Sequence, residues 1–258
     1  MKIVLLISIA SGLLQITSSC SKPVDNTKPV QPIDTVAMPV VPPVTTPLTP
    51  PVTPPDTLKT YLALGDSYTI GQSIPSTQNY PNQTVSILYS VGLAFKPPDI
   101  IATTGWTTAD LLNATANKPV PTPPYDIVTL LIGVNNQYQG RSQVEYKNQF
   151  TTLLQQSIAY AGNRVSHVIV ISIPDYAVSP YGQGTGNAAN ISAQIDSFNL
   201  INKQVSDSLN VNYVDVTTIS RKALNDPTLF ASDGLHFSGA EYALWAAMLA
   251  PVIDSVMK

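Results

Sequence analysis

Five short apolar runs, at 61–64, 100–104, 125–132, 167–173 and 211–216, recur along this 258-residue chain and limit its fold more than any other feature. Most are nearly continuous in Val, Ile, Leu and Ala rather than alternating with polar residues. A strand of that kind buries both faces, as in a parallel sheet covered by helices on each side. Helical stretches are expected between and after the runs, at 83–92, 109–117, 143–161, 188–209 and 239–257. Within 143–161, Val144, Phe150, Leu153, Leu154 and Ile158 recur at helical spacing, and Thr107 or Thr108 is placed to cap 109–117. This alternation predicts one α/β domain over 58–258, built on a five-stranded sheet. About 200 residues are ample for a single core.

In open parallel sheets ligands bind beyond the carboxyl ends of the strands, so the residues that follow each run carry the chemistry. Run 61–64 leads into Gly65-Asp66-Ser67-Tyr68-Thr69, run 100–104 into Gly105, and run 125–132 into Gly133-Val134-Asn135-Asn136. A serine hydroxyl is a weak nucleophile unless an imidazole takes its proton and a carboxylate holds that imidazole in place. Only two histidines exist. His167 stands at the entry of its run, on the sheet edge opposite Ser67. His236 is left as the base, and Asp233, three residues earlier, is within reach of its Nδ1. Acyl transfer also needs donors for a tetrahedral oxyanion, and the Ser67 N–H, the Gly105 N–H and the Asn135 amide are the candidates. Taken singly, Gly105 reads as a turn glycine and Asn135 as a turn residue; the combination points to a hydrolase.

These four blocks, in this order, resemble the SGNH (GDSL-type) hydrolase family over about 59–258. The resemblance implies a three-layer α/β/α, flavodoxin-like fold with a mostly parallel five-stranded sheet. It implies a serine esterase that works through an acyl-enzyme, with Ser67, Asp233 and His236 as triad and Ser67, Gly105 and Asn135 as oxyanion hole. The Gly-x-Ser-x-Gly elbow of α/β-hydrolases is not present, because Thr69 stands in place of its second glycine. Tyr68 replaces the leucine of the GDSL motif, an exchange expected to alter only local packing. Asn136 replaces the acid that usually follows the oxyanion asparagine, which removes any charged bracing of that loop.

The first 57 residues are of another kind. Lys2 precedes the apolar run 3–14, too short for a permanent membrane span and suited to a secretory signal over 1–20. That signal ends at Cys20, the only cysteine. A cysteine there resembles the acylation site of a bacterial lipoprotein, although Thr17 stands where leucine is usual. The alternative is ordinary signal cleavage, with Cys20 in a discarded or flexible part. Residues 21–57 hold eleven prolines and no glycine, a composition that forms no packed core and extends to about 3.1 Å per residue, on the order of 100 Å in all. The expectation is an exported domain on a proline-rich tether, anchored to a membrane of the cell envelope through Cys20.

Charge mainly excludes. Charged residues make up 11% of the chain and the net charge is −3, against about 25% charged in ordinary soluble proteins. No Lys/Arg cluster favours nucleic acid, and no metal or cofactor is expected, since no metal-ligand spacing or phosphate loop occurs. Gly182, Gly184 and Gly186 alternate in a polar loop without the strand context of a dinucleotide site. The loop 175–187 is instead a candidate substrate lip, and Trp106, Tyr138, Tyr176 and Tyr181 are candidates to line a cleft suited to sugar rings. The favoured substrate is a small-molecule or polysaccharide ester carrying a short acyl group such as acetyl. A lysophospholipase or thioesterase acting on longer acyl chains, or a non-catalytic carbohydrate-binding envelope protein, is the competing reading.

Overall fold

Strands β1 (Tyr61–Gly65), β2 (Asp99–Ala102), β3 (Ile127–Leu131), β4 (Val168–Ile171) and β5 (Asn212–Val214) pair in the order β2-β1-β3-β4-β5, every pair parallel. The computed structural model describes residues 58–116, 118–119 and 124–258, so the expected signal, tether and Cys20 anchor lie outside the described residues. The central strands β1, β3 and β4 are buried at every position, whereas β2 and β5 at the edges are partly open. That difference explains why the central runs read as continuous apolar sequence.

All the strands but β1 are shorter than the runs that encode them, because pairing stops where side chains or helices take over the backbone groups. Tyr125 gives its N–H to the Tyr160 carbonyl at 3.0 Å, and the Asp126 carboxylate accepts the Thr60 N–H at 2.8 Å, so β3 begins only at Ile127.

Helices α1 (Ser67–Ile70), α2 (Tyr80–Ser90), α3 (Thr108–Thr115), α4 (Val134–Tyr138), α5 (Gln143–Tyr160), α6 (Pro180–Gly184), α7 (Ala188–Ser208), α8 (Thr217–Ser220) and α9 (Gly239–Met257) complete the chain. Helix α2 packs on α9, while α3 packs beside α5 and α5 beside α7; these two groups cover the two faces of the sheet. The start of α2 lies three residues before the expected 83. Asn79 accepts the Asn82 N–H at 3.0 Å, and Pro81 sits in the first turn. Thr107, not Thr108, caps α3, in a reciprocal box with Asp110. Val144 departs from the expected apolar stripe of α5: it lies in the first turn and is exposed, and the buried face runs through Tyr146, Phe150, Leu153 and Leu154. The most apolar helix, α9, buries Tyr242, Trp245, Leu249 and Ile253.

Because β2 lies on one side of β1 and β3 on the other, the strand order reverses between β1 and β3. A crevice opens beyond the carboxyl ends at such a point, and α1 and α4 both start there.

The turn from β1 into α1 places Asp66 in the core. Its Oδ1 caps α1 by accepting the Tyr68 N–H at 3.0 Å, and the side chain is fully buried. Burial pushes the carboxyl up from 3.8 to about 7, against the opposing pull of the Tyr68 and Gly133 N–H groups. The folded chain thus keeps a proton that the unfolded chain gives up near 3.8. Stability contributed by this group is full below about pH 4 and is lost as pH rises through about 7. Glu241 is raised in the same direction, also by burial. Asp110, Asp215 and Asp233 are lowered, so their contributions are already complete above about pH 4. Urea unfolding should therefore show stability falling between about pH 4.5 and pH 7.5. Asp66→Asn, which keeps the Oδ1 acceptor, should flatten that slope. An unchanged slope in the variant would place the pH dependence elsewhere.

Candidate functional site

Each strand end delivers one element to the crevice. Ser67 opens α1 directly after its buried cap and is itself buried. After β2 the chain turns at Gly105, whose φ of +84° lies in the left-handed region that favours glycine. After β3, Gly133 takes φ +134°. A Cβ there would stand 2.7 Å from the Tyr146 ring and 2.8 Å from Ile173, so only glycine lets α4 start where it does. Asn135, in the first turn of α4, donates from Nδ2 to the Trp106 carbonyl at 2.9 Å. One of its two amide hydrogens is fixed in this way, and the bond ties the Gly105 turn to α4. The neutral Asn136 does brace this loop: buried, it accepts the Thr108 N–H at 2.9 Å and donates to the Thr108 hydroxyl at 2.7 Å.

The remaining pair comes from the loop before α9. Asp233 Oδ1 accepts the backbone N–H groups of Leu235 and His236, both at 2.9 Å, which folds the turn. Its Oδ2 lies 2.7 Å from His236 Nδ1 and also accepts the Ser73 hydroxyl at 2.6 Å. Burial works against the charge of Asp233, but these donors, Ser73 first, hold the carboxyl well below the usual carboxylate range. An ionised carboxylate only accepts, so Nδ1 carries the proton and Nε2 is left as the basic nitrogen of the ring. Tyr68 does more than the local packing expected of it. Its ring meets that of His236 edge-on, at 5.6 Å between centroids and 62°, and holds the imidazole from the core side.

Ser67, Gly105, Asn135 and His236 line a single cleft of about 230 Å³. Tyr138, Tyr176 and Tyr181 also line it, as do Tyr68, Thr104, Val134 and Leu235. Trp106 does not. The turn at Gly105, closed by the Trp106 N–H on the Thr103 carbonyl at 3.3 Å, sends that side chain against the core, and only its carbonyl serves the site. The loop 175–187 forms a lip built from the turn Tyr176–Val178 and α6. It is anchored from below by buried Asp175, which pairs with Arg221 at 2.8 Å. It is tied to the Asp233–His236 turn by the Tyr181 N–H on the Gly234 carbonyl at 2.9 Å. The hydroxyls of Tyr138 and Tyr181 meet at 2.9 Å.

His167 lies at the amino end of β4, its Nδ1 2.6 Å from the Asp126 carbonyl oxygen, and it takes no part in the cleft. Among the described residues, no three His, Cys, Asp or Glu side chains group as a metal site would need. Tyr68 and Ser73 are the contributors that the sequence reading missed. Tyr68 adjoins Ser67 in sequence, but nothing in the sequence links Ser73 to Asp233.

Residues 63–244 match the model of the GDSL-like Lipase/Acylhydrolase family. Among solved structures, TesA is similar with a TM-score of 0.58 at 16% identity, over 77% of this chain and 99% of that one. A lipase/acylhydrolase from Enterococcus faecalis gives 0.57 at 22%, over 76% and 96%. Axe2, an acetylxylan esterase from Geobacillus stearothermophilus, gives 0.57 at 19%, over 76% and 94%. At these identities the likeness establishes the fold. No curated protein sequence matches the chain. The family match spans more than half of the sequence and takes in Ser67, Gly105, Asn135, Asp233 and His236, so this chain belongs to the GDSL-like lipase/acylhydrolase family, hydrolases of ester bonds.

Proposed function

We propose that the chain hydrolyses short acyl esters, acetyl esters of carbohydrate above all, through a Ser67–His236–Asp233 triad and a covalent acyl-enzyme. In this reading the Ser67 Oγ attacks the ester carbonyl while His236 Nε2 takes its proton, and Asp233 keeps the imidazole in the required tautomer. The oxyanion that forms is met by the N–H groups of Ser67 and Gly105 and by the Asn135 amide. Collapse expels the alcohol, which takes the proton from His236. Water then repeats the sequence on the acyl group to release the acid. The observation that carries the proposal is that His236, held at 2.7 Å by Asp233, lines the same small cleft as Ser67, Gly105 and Asn135.

The size of the cleft supports a short acyl group. Sites for drug-sized ligands span roughly 300–1,000 Å³, and about 230 Å³ is available here. Tyr138 and Tyr181 are exposed at its rim, and aromatic faces of this kind suit sugar rings. The fold likeness to Axe2, itself named an acetylxylan esterase, is consistent with this but does not set the substrate. The anchor completes the reading: acyl chains on Cys20 would hold the enzyme at a membrane of the envelope, with 21–57 as its tether.

Kinetics on p-nitrophenyl esters test the chemistry. Activity should fall steeply as the acyl chain lengthens beyond acetyl. Ser67→Ala should be inactive on every ester, and Asn135→Ala should lose about 10²–10³ in kcat with KM little changed. Near-normal turnover by Ser67→Ala would overturn the triad, and a rate that rises with chain length would overturn the acetyl preference. For the anchor, the full chain made in bacteria should incorporate labelled palmitate and sediment with membranes, and Cys20→Ala should do neither. An unlabelled, soluble wild-type protein would mean ordinary secretion.

A further inference from the structure

We infer that Ser73 is a positioning residue that holds the Asp233 carboxylate for His236, an inference that rests on the triad reading above. Ser73 lies just past the end of α1, in the segment that follows the nucleophile. Its φ is +68°, a conformation that a residue bearing a Cβ adopts only at a cost. Two residues earlier the chain meets the same demand with Gly71, at φ +75°. A serine in the second place is strained unless its side chain returns something that glycine lacks.

What it returns is a hydrogen bond across the site. The Ser73 hydroxyl donates to Asp233 Oδ2 at 2.6 Å, on the same oxygen that faces His236 Nδ1 at 2.7 Å. A donation of this sort to a charged acceptor is short and strong. Oδ1 is held by two N–H groups of its own turn, so among the described residues Ser73 supplies the one hydrogen bond that fixes Oδ2 from another part of the chain. The adjoining Gln72 accepts the Thr104 hydroxyl at 2.6 Å, beside the Gly105 turn. The segment after Ser67 is thereby pinned to two other parts of the site, and Ser73 sets where the triad carboxylate stands relative to the nucleophile.

Glycine separates the two roles of the position, because it takes φ +68° without strain and removes the hydroxymethyl group that makes the bond to Asp233. Ser73→Gly should unfold at or above the wild-type urea midpoint. Its kcat on p-nitrophenyl acetate should fall about tenfold while KM stays within about twofold, the pattern of an interaction made in the transition state. In an Asp233→Ala background the same substitution should cost less than about twofold, because a residue that acts through Asp233 has nothing left to act on. Ser73→Ala, measured in the same two backgrounds, stands in if the glycine variant does not fold. Wild-type kcat in Ser73→Gly would overturn the inference, as would an equal tenfold loss in the Asp233→Ala background. Ser67→Ala run alongside keeps the two claims apart: its loss of turnover leaves the triad intact whatever Ser73 does, and its full activity would remove the triad on which the inference rests.

Discussion

Parallel pairing of β1, β2 and β3 is the constraint on which the site depends. Because the three strands point the same way, the residues that follow them emerge at one edge of the sheet, and Ser67, Gly105 and Asn135 meet without any long loop having to bring them together. An antiparallel neighbour would send one of them to the far edge, where His167 lies. The reversal of strand order between β1 and β3 then leaves a gap between the covering helices, and the last loop, before α9, closes over it with Asp233 and His236.

The chain accepts local costs to hold this arrangement. Asp66 is a carboxyl in the core, kept protonated to about pH 7 by its surroundings, and its position as the cap of α1 fixes the backbone directly ahead of Ser67. Gly133 approaches Tyr146 and Ile173 too closely for any side chain, which seats α4 against the sheet. Ser73 and Gly105 hold positive φ. These features cluster around the cleft, as expected where backbone strain serves a site, while the central strands behind them are buried throughout and, Thr129 and the Tyr61 hydroxyl aside, apolar.

Much of this was legible in the sequence for physical reasons. Continuous apolar runs report burial on both faces, and so the parallel sheet and the succession of strands and long helices along the chain could be read directly. The ends of those runs located Ser67, Gly105 and Asn135, and the scarcity of histidine isolated His236. Other features had no such signal. Helices α1, α4 and α6 span four or five residues, too few for a helical period to show. Trp106 was assigned to the cleft from its place beside Gly105, but the positive φ of that glycine turns the chain and sends the side chain inward. The bond from Ser73 to Asp233 spans 160 residues, and only the folded chain brings its two ends together.

The central claim is that Ser67 becomes covalently acylated during turnover, and trapping that intermediate tests it most directly. The protein should be mixed with p-nitrophenyl acetate, quenched in acid within the first turnovers and digested, and the peptide that contains Ser67 examined by mass spectrometry. The account predicts a single acetyl group on Ser67, present during turnover and gone once substrate is exhausted. Steady turnover with Ser67 unmodified, or with acetyl accumulating on a different residue, would contradict it.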